Sequence, residues 1–88
     1  MKIIVTGNLE CIYAFTRRNP EYPNAIYITE CTIEAGGRTE KIKDTSIECS
    51  TATLKESILK LIELQGKEVR FECEYVFFDN KYQLIKII

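Results

Sequence analysis

The sequence predicts a mostly β domain of five strands and one helix, in the order β-β-β-α-β-β, with the sheet closed into a barrel. Apolar residues alternate with period two through most of the chain, the signature of half-buried strands. A Gly-Gly pair and an Asp-Asn step divide these runs at tight turns. One stretch switches to a period of 3.6 and carries its own start and stop signals, which marks a helix.

At 88 residues, with 45% apolar and 28% charged residues, the chain supports one soluble domain with a single modest core. The formal charge is −1, and both halves are close to neutral. That balance excludes a strongly basic nucleic-acid protein and an acidic nucleic-acid mimic, while leaving room for a local basic patch. The short apolar run at the N-terminus is broken by Gly7, Asn8 and Glu10, too early for a signal peptide, and no stretch reaches the roughly 20 apolar residues of a membrane helix. A cytoplasmic protein that does not engage membranes is expected.

Residues 2–16 read as the first strand, with Ile3, Val5, Leu9, Cys11, Tyr13 and Phe15 on one face. Gly7 shares their parity. Glycine inside a strand marks a bend or bulge, so this strand is expected to curve there and serve two parts of the sheet, as barrel closure requires. Residues 17–24, RRNPEYPN, form a loop whose prolines cannot join a ladder. The plainer reading is a stiff solvated turn with Tyr22 laid over the barrel end. The sharper one is a recognition loop, with Arg17 and Arg18 for phosphate or carboxylate and Tyr22 for stacking.

Residues 25–35 and 38–47 form the next two strands around Gly36-Gly37, which supply the positive φ angles of a hairpin turn. Pairing about this turn places Cys31, Ile33 and Ile42 on one face, and sets Glu34 opposite Thr39, Thr32 opposite Lys41 and Glu30 opposite Lys43. Ile26 and Ile28 then have the parity of Glu30, the polar face. A bulge near Thr29 would turn them inward; without it, two exposed isoleucines would mark a partner surface. The segment around Asp44, Ser46, Ser50 and Thr51 reads as irregular. Thr53 to Glu56 is a capping box, and the helix runs to about Gln65, with Gly66 as its stop. Leu54, Ile58, Leu61 and Ile62 form its apolar stripe, widened by Leu64.

Residues 67–88 close the chain as a hairpin about Asp79-Asn80, a two-residue turn that sets Phe77 opposite Tyr82 and Tyr75 opposite Leu84. Its core face is expected to hold Val69, Phe71, Cys73, Tyr75, Phe77, Tyr82, Leu84 and Ile88, interrupted by Lys86. The helix packs on this face.

The four cysteines lack the close pairs of structural zinc sites, and the chain has no histidine. Cys11, Cys31 and Cys73 fall at inward strand positions and are expected to act as small apolar residues. Without histidine there is no Ser–His or Cys–His nucleophile. The carboxylates are scattered, and Gly36-Gly37 precedes a strand and not a helix, which excludes a phosphate-binding loop of the P-loop or Rossmann type. No enzyme, cofactor or metal is expected.

A first strand bent at glycine, a tight second hairpin, one helix between strands three and four and a closing hairpin resemble the OB-fold superfamily, at the level of topology and over the whole chain. An SH3-like barrel or an open α+β sheet fits the same pattern less well. The resemblance implies a binding module that takes single-stranded nucleic acid, DNA or RNA, on the face of strands two and three and on the flanking loops. In this sequence that surface would comprise Arg17, Arg18, Tyr22, Tyr27, Arg38, Lys41, Lys43, Phe78 and Lys81. Glu21, Glu30 and Glu34 lie among these cations and would neutralise some of them. The alternative is a protein-interaction module: a small inhibitor, an adaptor or a homodimer that pairs sheet edges.

Overall fold

A computed structural model of the chain describes residues 1–14 and 20–88. Its elements are β1 (Lys2–Ala14), β2 (Asn24–Ala35), β3 (Arg38–Cys49), α1 (Thr51–Leu64), β4 (Glu68–Val76) and β5 (Lys81–Ile87). The five strands close in a ring in the order β1-β2-β3-β5-β4, and the fold class is the expected one. All pairings are antiparallel except β3 with β5, which joins the ring by a short parallel contact at Ile47–Tyr82 and Glu48–Gln83. Among the described residues, no helix is long and apolar enough to cross a membrane. Phe15, Arg17 and Arg18 lie outside the described residues.

The first strand serves two neighbours, as its glycine suggested. Lys2 to Asn8 pair with β4, and Ile4 to Ala14 pair with β2. At Gly7 the β1–β2 register shifts, because β2 carries an extra residue opposite it. Glu30 takes a left-handed φ of 51° at this bulge, and Cys31 Sγ donates to the Ile28 carbonyl. The bulge inverts the parity of β2, so Ile26 and Ile28 are buried on one side of it and Cys31 and Ile33 on the other. A Cβ on Gly7 would lie 2.4 Å from Ile28 Cγ2 and 2.7 Å from the Thr29 carbonyl oxygen, so only glycine lets the strands meet there. The β2–β3 register agrees with the expected one, including Thr32–Lys41 and Glu34–Thr39.

Two further bulges correct the expected faces. At Glu10 the extra residue belongs to β1, which turns Ile12 towards the core and leaves Cys11 and Tyr13 exposed instead of buried. At Ile85 the β4–β5 register slips in the same way, so Ile87 packs on the core while Ile88 points to solvent. Lys86 therefore does not interrupt the core face. The hairpin turn is also longer than two residues. It spans 77–80, pairs Val76 with Lys81 and Tyr75 with Tyr82, and uses Asn80 at φ 51°. Phe77, expected in the core, is 67% exposed.

The helix cap lies three residues before the expected one. Cys49 is the last core residue of β3, and Ser50 leaves the sheet with extended backbone. Ser50 Oγ accepts from the Thr53 N–H at 3.2 Å and thus caps the helix, placing Thr53 in the first turn. Asp44 and Ser46, expected in an irregular segment, belong to β3. At the other end, Gly66 takes φ 78°, its N–H donates to the Leu9 carbonyl, and the Leu9 N–H donates to the Lys67 carbonyl. This reciprocal pair fastens the helix end to β1 beside the Glu10 bulge. Leu61 is fully buried and Leu54 and Leu64 pack against the core, but Ile62 of the expected stripe is exposed, together with Leu59.

The interior is filled by Phe71, Leu9, Ile26, Ile28, Ile47, Leu61, Val5 and three thiols. Burial pushes the Cys49 thiol up to about 11 and Cys73 to about 12, and raises Cys31 as well. These groups behave as small apolar residues, as expected of Cys31 and Cys73.

Candidate nucleic-acid interface

On the outside of the ring, one cross-strand row reads Tyr13 on β1, Ala25 on β2 and Glu48 on β3. Ala25 is the smallest member and sits between the two long ones. The space above it is a cleft of about 280 Å³, lined by Tyr13, Ala25, Thr45, Ser46, Glu48, Asn80 and Lys81. The Tyr13 hydroxyl and Ser46 Oγ share a hydrogen bond of 2.8 Å across β2. Asn80 reaches the rim from the β4–β5 turn, with its Oδ1 accepting from the Tyr75 hydroxyl. Tyr75 in turn packs edge-on against Phe77, at 5.0 Å between ring centroids.

Glu48 is the unusual member. It is the one charged residue in the buried set among the described residues, only 5% exposed, between Ile47 and Cys49, which point into the core. Its Oε2 accepts from Lys81 Nζ at 3.0 Å, while Oε1 is buried and has no hydrogen-bond partner among the described residues. A buried carboxylate oxygen without a donor carries a desolvation cost, and the large majority of buried polar groups in folded proteins have a partner.

The next row outward is Cys11, Tyr27 and Ser46. Asp44 hydrogen-bonds the Tyr27 hydroxyl and, with Glu10, raises its pKa above the ordinary value. Glu10 also accepts from Thr29, and Glu30 from Asn8 at 2.9 Å. The middle of this face is therefore acidic and internally hydrogen-bonded.

The expected site residues separate into groups. Lys81 lies in the cleft, Tyr27 in the adjoining row, and Phe78 at the turn above, fully exposed. Tyr22 is half-buried in the described end of the first loop. Lys41 and Lys43 are exposed further along β3, and Arg38 lies at the hairpin turn, ten residues from Ala25 along β2, or about 30 Å at strand spacing. Tyr13, Ala25, Ser46, Glu48 and Asn80 were not anticipated. Tyr13 was hidden by the Glu10 bulge. The run Ile47-Glu48-Cys49 carried a signal, a carboxylate flanked by two core residues.

A larger groove of about 410 Å³ runs beside the Gly36-Gly37 turn, with Lys2, Arg38, Glu34 and Glu72 along it. Its mixed charges are exposed or half-buried, and it holds no unpartnered buried polar atom among the described residues. Among the described residues no cluster of His, Cys, Asp and Glu is arranged to hold a metal ion. Comparison with protein-family models, curated proteins and solved structures finds no match to the chain.

Proposed function

We propose that the chain is a non-catalytic binding module that takes single-stranded nucleic acid on the outer face of β1, β2 and β3. The observation that carries this reading is the open cleft over Ala25, with the Tyr13 ring as one wall and Phe77 and Phe78 exposed on the turn that contributes Asn80 to its rim. Aromatic rings beside a base-sized cleft suit stacking, which contributes about 1–3 kcal/mol per base. The OB-like strand order supports the reading by analogy, since such barrels bind ligands between the first loop and the last hairpin. The acidic row around Tyr27 directs phosphates away from the middle of the face. Cations at Lys41 and Lys43 on β3, and Arg17 and Arg18 in the first loop, are the groups to meet them. A binding role also suits the chemistry present, because the buried thiols are held far from the thiolate form.

Fluorescence anisotropy with a labelled single-stranded oligonucleotide at low salt tests this. Binding should weaken steeply as salt is added, and the Phe77→Ala, Phe78→Ala double substitution should weaken it further by about 1–3 kcal/mol. Indifference to both DNA and RNA at low salt would exclude the reading.

A protein-interaction module is the second reading, and one observation favours it. Phe77 and Phe78 are adjacent and exposed, as are Leu59 and Ile62 on the helix. Burial of Ile26 and Ile28 removes the other apolar surface that such a module would have used. Loss of a bound protein on Phe78→Ser, in a chain that ignores oligonucleotides, would favour this reading.

A further inference from the structure

The unpartnered oxygen of Glu48 gives the cleft a chemical preference, and the inference drawn from it rests on the nucleic-acid reading above. We propose that the cleft seats one unpaired nucleobase edge-on, with a Watson–Crick N–H of the base donating to Glu48 Oε1, which is covered in the free protein and becomes accessible as the base enters. Lys81 holds the other carboxylate oxygen at 3.0 Å, which fixes the side chain and leaves Oε1 as the acceptor still to be satisfied. Glu48 lines the cleft beside Tyr13 and Ser46, whose hydroxyls are bonded to each other at 2.8 Å. A ligand that satisfies Oε1 must be a donor, flat enough to lie along the Tyr13 ring, and small enough for about 280 Å³.

A nucleobase meets all three conditions. Each of the four bases carries an imino or amino N–H on its Watson–Crick edge, so the contact is tolerant of sequence but not of pairing. A paired base has already committed that N–H to its complement. Backbone phosphate does not meet the conditions, because it is an acceptor and an anion and would face a carboxylate. The cleft thus selects single strands through the base edge, while stacking and cations supply the remaining affinity. A hydrogen bond to a buried charged group accounts for roughly a tenfold to hundredfold difference in affinity.

The test compares oligo(dT) with the same oligonucleotide built from N3-methylthymidine, which keeps the phosphates and the ring but lacks the N3–H. The protein should bind oligo(dT) at least about tenfold more tightly, and the isosteric Glu48→Gln variant should narrow that ratio. In the complex of the unsubstituted protein with oligo(dT), proton NMR should show an imino resonance protected from solvent exchange. This readout does not depend on the variant folding. Equal affinity for the two oligonucleotides, or no protected imino proton, overturns the Glu48 subsite and leaves the proposed function standing. A ratio that persists in full in folded Glu48→Gln overturns it too, because the methyl group's bulk is then the cause. Failure of both oligonucleotides to bind overturns the subsite and the proposed function together. Thymidine monophosphate bound as tightly as the oligonucleotide overturns the strand assignment and makes this a free-nucleotide site.

Discussion

Gly7 and Ala25 are both positions where the sheet gives up side-chain volume, and the chain uses the space in opposite ways. At Gly7 the space is filled. The β2 bulge presses Ile28 and the Thr29 carbonyl to within 2.4 and 2.7 Å of where a Cβ would stand, and Ile28 and the nearby Cys31 are part of the core. At Ala25, itself buried, the space borders a cleft. The flanking residues are Tyr13 and Glu48, and what remains is a cleft with polar walls. A small residue surrounded by apolar contacts holds the fold together, and one beside a buried acceptor that lacks a donor marks a candidate site.

Substitutions at these places should separate the two roles. Gly7→Ala should have the largest effect on stability, about 3 kcal/mol, because one of the atoms it meets is a backbone carbonyl that cannot step aside. Urea unfolding would measure it, and a loss below about 1 kcal/mol would mean that the bulge can relax. Lys81→Met should cost less, about 2 kcal/mol, by leaving the Glu48 carboxylate buried without its counter-charge. An unchanged unfolding midpoint would show that the ion pair does not hold Glu48. Ala25→Val should change stability least, by about 1 kcal/mol because Ala25 is buried, and should reduce oligonucleotide affinity by filling the cleft floor. Normal affinity in a stable Ala25→Val protein would place the binding surface elsewhere.

The sequence made the filled region legible and left the open one largely hidden, for a physical reason. Ile26 and Ile28 conflict in parity with Glu30, which requires either a bulge near Thr29 or two exposed isoleucines; the structure has the bulge, with Glu30 at positive φ. Gly7 announced its bend because glycine in a strand has few other uses. The bulges at Glu10 and Ile85 raise no such conflict, since Cys11, Tyr13 and Ile88 are acceptable on either face of a sheet and strict alternation places them inward. Asp79-Asn80 suits a two-residue loop, which hides the longer turn in which Phe77 and Phe78 lie outside the ladder. Ser50 and Thr53 are both residue types that cap helices, and the end of β3 at Cys49 decides for Ser50. The cleft depends on which residues share a row across three strands, and a row is visible only once the registers on both sides of β2 are known.

The most direct test of the central claim is to titrate an isotope-labelled sample with a short single-stranded oligonucleotide at low salt and follow its amide resonances. The account predicts that the largest shifts fall on Tyr13, Ala25, Ser46, Glu48, Asn80 and Lys81, with Phe77 and Phe78 next. The Gly36-Gly37 turn and the exposed helix face around Leu59 should stay unmoved. Shifts confined to that turn or to the helix, or no shifts at all, would contradict it.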